Sequence, residues 1–367
     1  MNVLHVVAPG NVGGLERVVQ SLTGAQCAAG HLVSAAVIHE RRGDDHPLTQ
    51  SLRARGVEVI PITVGARGYL TERAAVKSIA RRIGPEIVHT HGYRPDVVDA
   101  PVARRLDLAT VTTVHGFTGG DWKNRLYERL QRRAFRRFDA VVAVSEPLGG
   151  ALARSGVPKR SLHVIPNAWD DTVTFLDREA ARALLGVPSQ EVRIGWAGRL
   201  SEEKGPDLML EALALLGDGV TLSMLGDGGR PGVREELRAR AEKLGVAKQV
   251  TWHGLVPDAA RLFRAFDVFA LSSRTEGTPI VLFEAMAAGI PVVASAVGGV
   301  PNVVSSTEAL LVSPNDPQAL AAALRRACED QRGGAQRAAA ARARLQRDFA
   351  LEPWLDRYMK VYRAVRR

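Results

Sequence analysis

The feature that most constrains this chain is an alternation of short apolar runs with segments of helical spacing, played out in two series. The first run, residues 3–8, has strand length. It breaks at Pro9-Gly10-Asn11-Val12-Gly13-Gly14, and helical spacing follows over residues 15–28. Further strands are expected at 31–39, 57–62, 87–90, 109–114, 140–144 and 162–166. Helices are expected at 47–55, 71–83, 95–106, 122–138 and 146–155. The rhythm lapses over 167–189, which reads as a linker, and then resumes. Strands follow at 192–197, 221–225, 250–253, 268–271 and 291–294, with helices at 206–216, 233–244, 259–265 and 279–288. The tail, 317–367, reads as helical, interrupted at Gly333-Gly334 and Pro353. Such alternation implies α/β architecture with parallel sheets covered on both faces. Two series of similar length imply two Rossmann-like parallel-sheet domains facing each other across a cleft, with ligands at the carboxyl ends of the strands.

Composition narrows the setting. The two cysteines, Cys27 and Cys328, exclude a disulfide scaffold and fit a reducing compartment. No apolar run approaches the roughly 18 residues of a membrane span. The start of the chain shows no basic segment with a cleavage site, so a cytoplasmic protein is expected. The net charge of +10 is unusual and suggests nucleic acid, an anionic membrane or a phosphorylated ligand. A coding bias toward arginine, 42 Arg against 7 Lys, is the plainer source. The charge is concentrated at residues 104–137, which carry +6, and 318–367, which carry +7.

Two stretches carry chemistry. Ser272-Ser273-Arg274-Thr275-Glu276-Gly277-Thr278-Pro279-Ile280 leads from a strand into a helix. Thr278 is expected as its N-cap, Pro279 as its first residue and Gly289 as its stop. The unpaired first amides and the dipole of such a helix suit a phosphate. Glu276 stands before the helix and Glu284 inside it, so the two carboxylates can reach different parts of one ligand. Each can accept two hydroxyl hydrogen bonds. A solvated helix residue is the plain alternative for Glu284. In the second stretch, Gly198-Arg199-Leu200-Ser201-Glu202-Glu203-Lys204-Gly205-Pro206, Arg199 and Lys204 lie five apart in a loop at the end of a strand. There they can converge on a diphosphate, or be ordinary surface charges.

Together these stretches resemble the retaining glycosyltransferases of family 4, which have the two-domain GT-B fold. The resemblance rests on Gly198-Arg199-Leu200, Glu203-Lys204-Gly205, Gly226-Asp227-Gly228, His253-Gly254-Leu255, the run from Ser273 to Ala294 with its Glu-x7-Glu pattern, and Val297-Gly298-Gly299-Val300-Pro301. In the first half it rests on Gly13-Gly14-x-Glu16, Val114-His115-Gly116, Val144-Ser145-Glu146 and Val164-Ile165-Pro166-Asn167. It covers nearly the whole chain. It implies an N-terminal acceptor-side domain over 1–168, a nucleotide-sugar domain over 169–352, and a helix, 353–367, that packs back on the first.

The resemblance also implies roles. Arg199 and Lys204 would hold the donor diphosphate, Glu284 the ribose and Glu276 the transferred sugar. Gly277, Thr278, Pro279 and Ile280 would meet the donor at the helix start, and Leu255 and Val256 would lie against the nucleobase. Gly13 and Gly14 would allow close backbone approach, and His115 would face the sugar. The sugar leaves through an oxocarbenium-like state. Fixed cations and a helix N-terminus would stabilise the departing diphosphate in place of a metal. The nucleotide sugar is a substrate, so no cofactor is expected. No metal is expected either: Asp44-Asp45 and Asp170-Asp171 are not an Asp-x-Asp pair. The sequence departs from the pattern at Asn167-Ala168, where the family often has Asn-Gly, and at Asn302, where it usually has Glu. Asn302 removes a third carboxylate.

Three alternatives compete with this reading. Gly10-x-x-Gly13-Gly14 lacks the spacing of a dinucleotide fingerprint, which argues against an oxidoreductase. A sugar-nucleotide 2-epimerase shares the architecture and is separated by its independence of an acceptor. A nucleic-acid binder would need zinc spacings or aromatic-rich motifs that the chain lacks, so no nucleic acid partner is expected. The expected partners are a nucleotide-diphosphate sugar, a glycan or lipid-linked acceptor, and an anionic membrane surface. On the 122–138 helix, Leu126, Tyr127, Leu130, Ala134 and Phe138 share an arc of about 120° and are expected to be buried. Arg125, Arg129, Arg132, Arg133 and Arg136 share an adjacent arc of about 100°. That basic face is either simply solvated or an electrostatic dock for anionic lipid. In the tail, Leu355, Tyr358, Met359 and Tyr362 would be the buried face of the last helix.

Overall fold

The computed structural model describes residues 1–10, 13–39, 46–65, 68–116 and 122–367, except the side chains of 122–125. It contains two compact units, Met1–Ala168 with Leu351–Arg367, and Trp169–Ala350. Unit 1 runs β1 (Asn2–Val7), α1 (Gly14–Ala28), β2 (Leu32–His39), α2 (Pro47–Ala54), β3 (Glu58–Thr63), α3 (Tyr69–Ile83), β4 (Ile87–His91), α4 (Tyr93–Val98), α5 (Ala100–Arg105), β5 (Ala109–Val114), α6 (Trp122–Phe135), β6 (Ala140–Ala143), α7 (Glu146–Arg154) and β7 (Leu162–Val164). Unit 2 contains α8 (Arg178–Leu185), β8 (Val192–Ala197), α9 (Pro206–Leu216), β9 (Val220–Leu225), α10 (Val233–Lys243), β10 (Val250–Gly254), β11 (Val268–Leu271), α11 (Ile280–Ala288), β12 (Val292–Ser295), α12 (Val300–Val303), β13 (Leu310–Val312), α13 (Pro317–Glu329) and α14 (Gln331–Asp348). The chain then returns to unit 1 as α15 (Leu351–Val365).

Both sheets are parallel. Their orders are β3-β2-β1-β4-β5-β6-β7 and β10-β9-β8-β11-β12-β13. In each the winding reverses once, between β1 and β4 and between β8 and β11. Loops leaving the two strands at such a point diverge to opposite faces and open a crevice at the carboxyl edge. Alternate residues of the first sheet feed two cores. Leu4 and Val6 pack with Val76, Ile79 and Ala80 of α3, whereas Val7 packs with Val19 of α1 and Leu48 and Leu52 of α2.

Local chemistry moves several expected boundaries. The stretch read as a linker contains α8, capped by Asp177 and stopped by Gly186 in the left-handed region. Its buried Arg182 donates to Asp267 and to the carbonyls of Ala265, Pro188 and Ser189. The expected 95–106 helix is two short ones joined at Asp99, and 259–265 is a 3₁₀ segment. In the tail the breaks fall at Asp330 and Ala350, not at Gly333-Gly334 and Pro353. Asp330 caps α14 by accepting the Gly333 N–H at 2.8 Å, so both glycines lie in that helix's first turns. Pro353 sits in the first turn of α15, where its missing N–H costs nothing.

Candidate active site

The carboxyl edge of the unit 2 sheet is held together backbone to backbone. A Cβ on Gly205 would lie 2.2 Å from the Ser272 carbonyl oxygen, one on Gly226 1.9 Å from that of Gly198, and one on Gly298 1.8 Å from that of Glu276. All three glycines have positive φ. The loops after β8, β9, β11 and β12 are thereby drawn to one place. The buried Ser272 adds a polar pin, its hydroxyl 2.7 Å from the Gly205 carbonyl and 3.0 Å from the donating Trp196 Nε1. Gly298→Ala is expected to cost about 2–4 kcal/mol and to lower activity, because relief of the clash must displace Glu276. Urea unfolding and initial rates on one preparation would check both effects.

This edge brings Lys204, on the loop after β8, against Glu276, on the loop after β11. They meet at the point where the strand order reverses. Lys204 Nζ donates to both carboxylate oxygens of Glu276, at 2.7 and 2.9 Å, and Ser273 Oγ donates to Oε1 at 2.6 Å. The Glu276 side chain is 6% exposed and that of Lys204 23%. A nearly buried carboxylate therefore carries a counter-ion that still meets solvent. An anionic ligand arriving there can compete for the ammonium, while the carboxylate keeps its serine donor. Arg199 is more open and pairs with Glu203 at 3.1 Å. Arg274 is held by Asp207 at 2.7 and 2.8 Å, which ties the β11 loop to the start of α9.

The adjoining helix start differs by one residue from expectation. Pro279, extended at φ −71° and ψ 116°, is the N-cap, and α11 begins at Ile280. Thr278 is buried one residue before that cap. The Pro279 carbonyl takes the Leu282 N–H at 3.1 Å. Glu284 is half-buried on α11, and Gly289 closes the helix in the left-handed region as expected. After β10, Leu255 is exposed while Val256 packs partly against the core.

In unit 1, Gly13 is the extended N-cap of α1, which starts at Gly14. The buried Glu16 carboxylate accepts the Gly10 N–H at 3.0 Å and fixes the approach to that turn. His115 follows β5, its Nε2 is buried without a hydrogen-bond partner, and burial pushes its pKa down to about 4. Beside it stands a group that single-residue reading missed. His5 of β1 and His89 and His91 of β4 are fully buried on one face of the sheet, covered by Gln26 of α1 and Tyr358 and Tyr362 of α15. One nitrogen from each lies within 4.8 Å of those of the other two. The available signal was the period of two, since His89-x-His91 on a strand must share a face.

Comparison with known proteins decides the family. The model "Glycosyl transferases group 1" matches residues 177–346, and "Glycosyltransferase Family 4" matches residues 12–173. A D-inositol 3-phosphate glycosyltransferase of Xylanimonas cellulosilytica is 35% identical over 301 residues, covering 75% of this chain and 72% of the relative. The chain is a family 4 glycosyltransferase. A second enzyme so named, from Segniliparus rotundus, is 33% identical over 236 residues, 59% of this chain and 52% of the relative. In fold, the glycosyltransferase is similar to Anabaena HepE solved with UDP-glucose: TM-score 0.88 at 24% identity, covering 99% of each chain. The fold is GT-B.

The basic helix of the glycosyltransferase turns differently from expectation. Leu126, Tyr127 and Leu130 are 46%, 43% and 43% exposed, whereas Gln131, Phe135 and Phe138 are buried. The cause is Asp96, a fully buried carboxylate that accepts from Thr90, Thr112 and Gln131 Nε2, the last at 2.7 Å. Satisfying that carboxylate turns Gln131 inward and leaves Leu126, Tyr127 and Leu130 at the surface, while Ala134 and Phe138 of the same arc pack against the core as expected. Arg129 and Arg133 are exposed and Arg132 is half-buried. Arg136 is exposed but spends two donors on the Ser155 carbonyl. The Arg125 side chain lies outside the described residues. Among the described residues, no helix is long and apolar enough to cross a membrane.

Proposed function

We propose that this glycosyltransferase moves a sugar, with retention and without a metal ion, from a nucleotide-diphosphate donor to an acceptor hydroxyl on a glycan or lipid-linked intermediate. The observation that carries the reading is the Lys204–Glu276 pair at the reversal point of the unit 2 sheet, next to the start of α11. Lys204 and Arg199 take the diphosphate, and the α11 dipole adds to them. Glu276, released from Lys204, turns to the hydroxyls of the transferred sugar. Glu284 holds the ribose, and Leu255 and Val256 flank the base. Gly277, Thr278, Pro279 and Ile280 lie along the donor, and in unit 1 Gly13, Gly14 and His115 serve the sugar. A cation set beside a helix start supports stabilisation of the leaving group by fixed charge. Kinship with enzymes named for D-inositol 3-phosphate favours a second acceptor, a phosphorylated cyclitol.

The test is a thermal-shift screen of UDP-, GDP- and ADP-sugars, followed by transfer assays with each acceptor class and NMR of the product anomer. One donor is expected to raise Tm by several degrees, and EDTA is expected to leave the rate within about twofold. A strict Mg²⁺ requirement or an inverted product would overturn the mechanism. Conversion of donor without acceptor would point to the epimerase.

A cytoplasmic site of action at the membrane surface is part of the proposal. The exposed Leu126, Tyr127 and Leu130 beside Arg129 and Arg133 support it. Each basic residue near anionic lipid contributes about 1 kcal/mol. Liposome sedimentation is expected to show binding to anionic vesicles at low salt that weakens when Arg129 and Arg133 become glutamine. Equal recovery with neutral and anionic vesicles would sink the idea.

A further inference from the structure

The proton positions along the buried histidines of unit 1 can be deduced from the partners they keep. Gln26 has one donating and one accepting end. Its Nε2 donates to the Tyr362 hydroxyl at 3.2 Å, so its Oε1, 2.8 Å from His5 Nε2, accepts a proton from that ring. His5 Nδ1 is then a lone pair. His91 Nε2, 2.9 Å away, donates to it. A second branch runs from Tyr362 to Tyr358. The Tyr362 hydroxyl donates to His89 Nδ1 at 2.6 Å, and His89 Nε2 donates to Thr113 Oγ1 at 2.9 Å. The Thr113 hydroxyl is left to donate to Tyr358 at 3.1 Å. Burial keeps His5, His89 and His91 neutral, so each carries a single proton.

The first branch ends on His91 Nδ1, an acceptor that is buried and unpartnered. His91 pairs in register with Thr113, and His115 lies two residues further along the same face. The His115 ring centre is 6.4 Å from that of His91, and His115 Nε2 is likewise buried and unpartnered. We infer that His91 is a positioning residue for His115: its bare Nδ1 takes the Nε2–H of His115 through one bridging water. His115 then presents its own lone pair, on Nδ1, to a substrate hydroxyl. The inference rests on the reading of His115 as the sugar-facing imidazole. A metal ion held by His5, His89 and His91 would require lone pairs, not protons, to point inward. Both nitrogens of His5 and of His89 are already matched to protein groups.

The test is the nitrogen-15 spectrum of the histidine-labelled full chain at neutral pH, which reports each tautomer independently of activity. All four imidazoles are expected as Nε2–H. In His91→Phe, His115 is expected to become a mixture of tautomers, and kcat to fall about tenfold or more while KM for the donor stays nearly constant. In His91→Asn, whose side-chain oxygen can replace Nδ1, the tautomer and part of the rate should return. His115 as Nδ1–H in the unmodified protein would overturn the inference, as would an unchanged His115 in His91→Phe or a stoichiometric metal in the purified protein. If the phenylalanine variant does not fold, the unmodified spectrum still decides. Expected tautomers in a chain that transfers no sugar would instead count against the functional reading.

Discussion

Lys204→Ala is expected to lower sugar transfer about a thousandfold, the scale on which a preorganised group facing a departing charge is felt. The loss should fall mainly on kcat, because leaving-group charge grows toward the transition state. The same change leaves the 6%-exposed Glu276 carboxylate with Ser273 Oγ as its remaining side-chain partner. Breaking a pair this far from water costs stability as well, here about 1–3 kcal/mol, since Lys204 is partly hydrated. Glu276→Ala should be equally inactive yet lose less stability, because it releases a lysine that can reach solvent. Glu276→Gln separates the roles: it keeps the shape and loses the charge. Circular dichroism and urea midpoints beside initial rates would check all three. Full activity in Lys204→Ala or Glu276→Ala would end the assignment of donor binding to this edge.

Acidification is expected to destabilise unit 1 sharply. His5 is held down to about 4 by burial, against an ordinary value near 6.5. The unfolded chain takes up a proton as the pH falls through 6.5, and the native ring does not until about 4. The stability conferred by the neutral ring is thus complete above 6.5 and is lost as the pH falls toward 4. For His5 alone this amounts to about 3 kcal/mol. His115, at about 4, and His89 and His91, held well below 6.5 by burial and by the neighbouring imidazoles, act in the same direction. Two carboxyls oppose them. Burial lifts Asp96 to about 6, and burial with the Glu72 carboxylate beside it lifts Asp99 further. Their contribution is present at low pH and fades as the pH rises. Four imidazoles against two carboxyls leave a net uptake of protons on unfolding below pH 6.5, so stability falls as the pH falls. Urea midpoints at pH 7 and pH 5 and constant ionic strength would measure it. A flat profile would mean that water already reaches the rings.

The residues that declare the fold are those whose neighbours lie close in sequence or whose backbone is unusual. Gly205, Gly226 and Gly298 stand where another loop's carbonyl comes within 2.2 Å of the place a Cβ would occupy, so a glycine there records a contact made far along the chain. Lys204 and Glu276 sit on such loops, which is why the motif could nominate both. Their direct ion pair could not be read, because it depends on two loops separated by 72 residues. The α6 helix failed for a different reason. A hydropathy wheel orients a helix by its apolar arc, but here a buried carboxylate on α4 orients it through Gln131. The histidines were missed because each, taken singly, reads as an ordinary core or surface residue. Only strand register, with His5 opposite His89, makes them one group.

The return of the chain to unit 1 has a consequence for its synthesis. Tyr358 and Tyr362, both buried, belong to α15, and Tyr362 supplies the hydroxyl that joins Gln26 to His89. A ribosome makes that helix only after all of Trp169–Ala350. The domain begun first is therefore completed last. Until then its imidazoles lack their covering helix and the Tyr362 hydroxyl, and the first domain stays open while the residues of unit 2 are made.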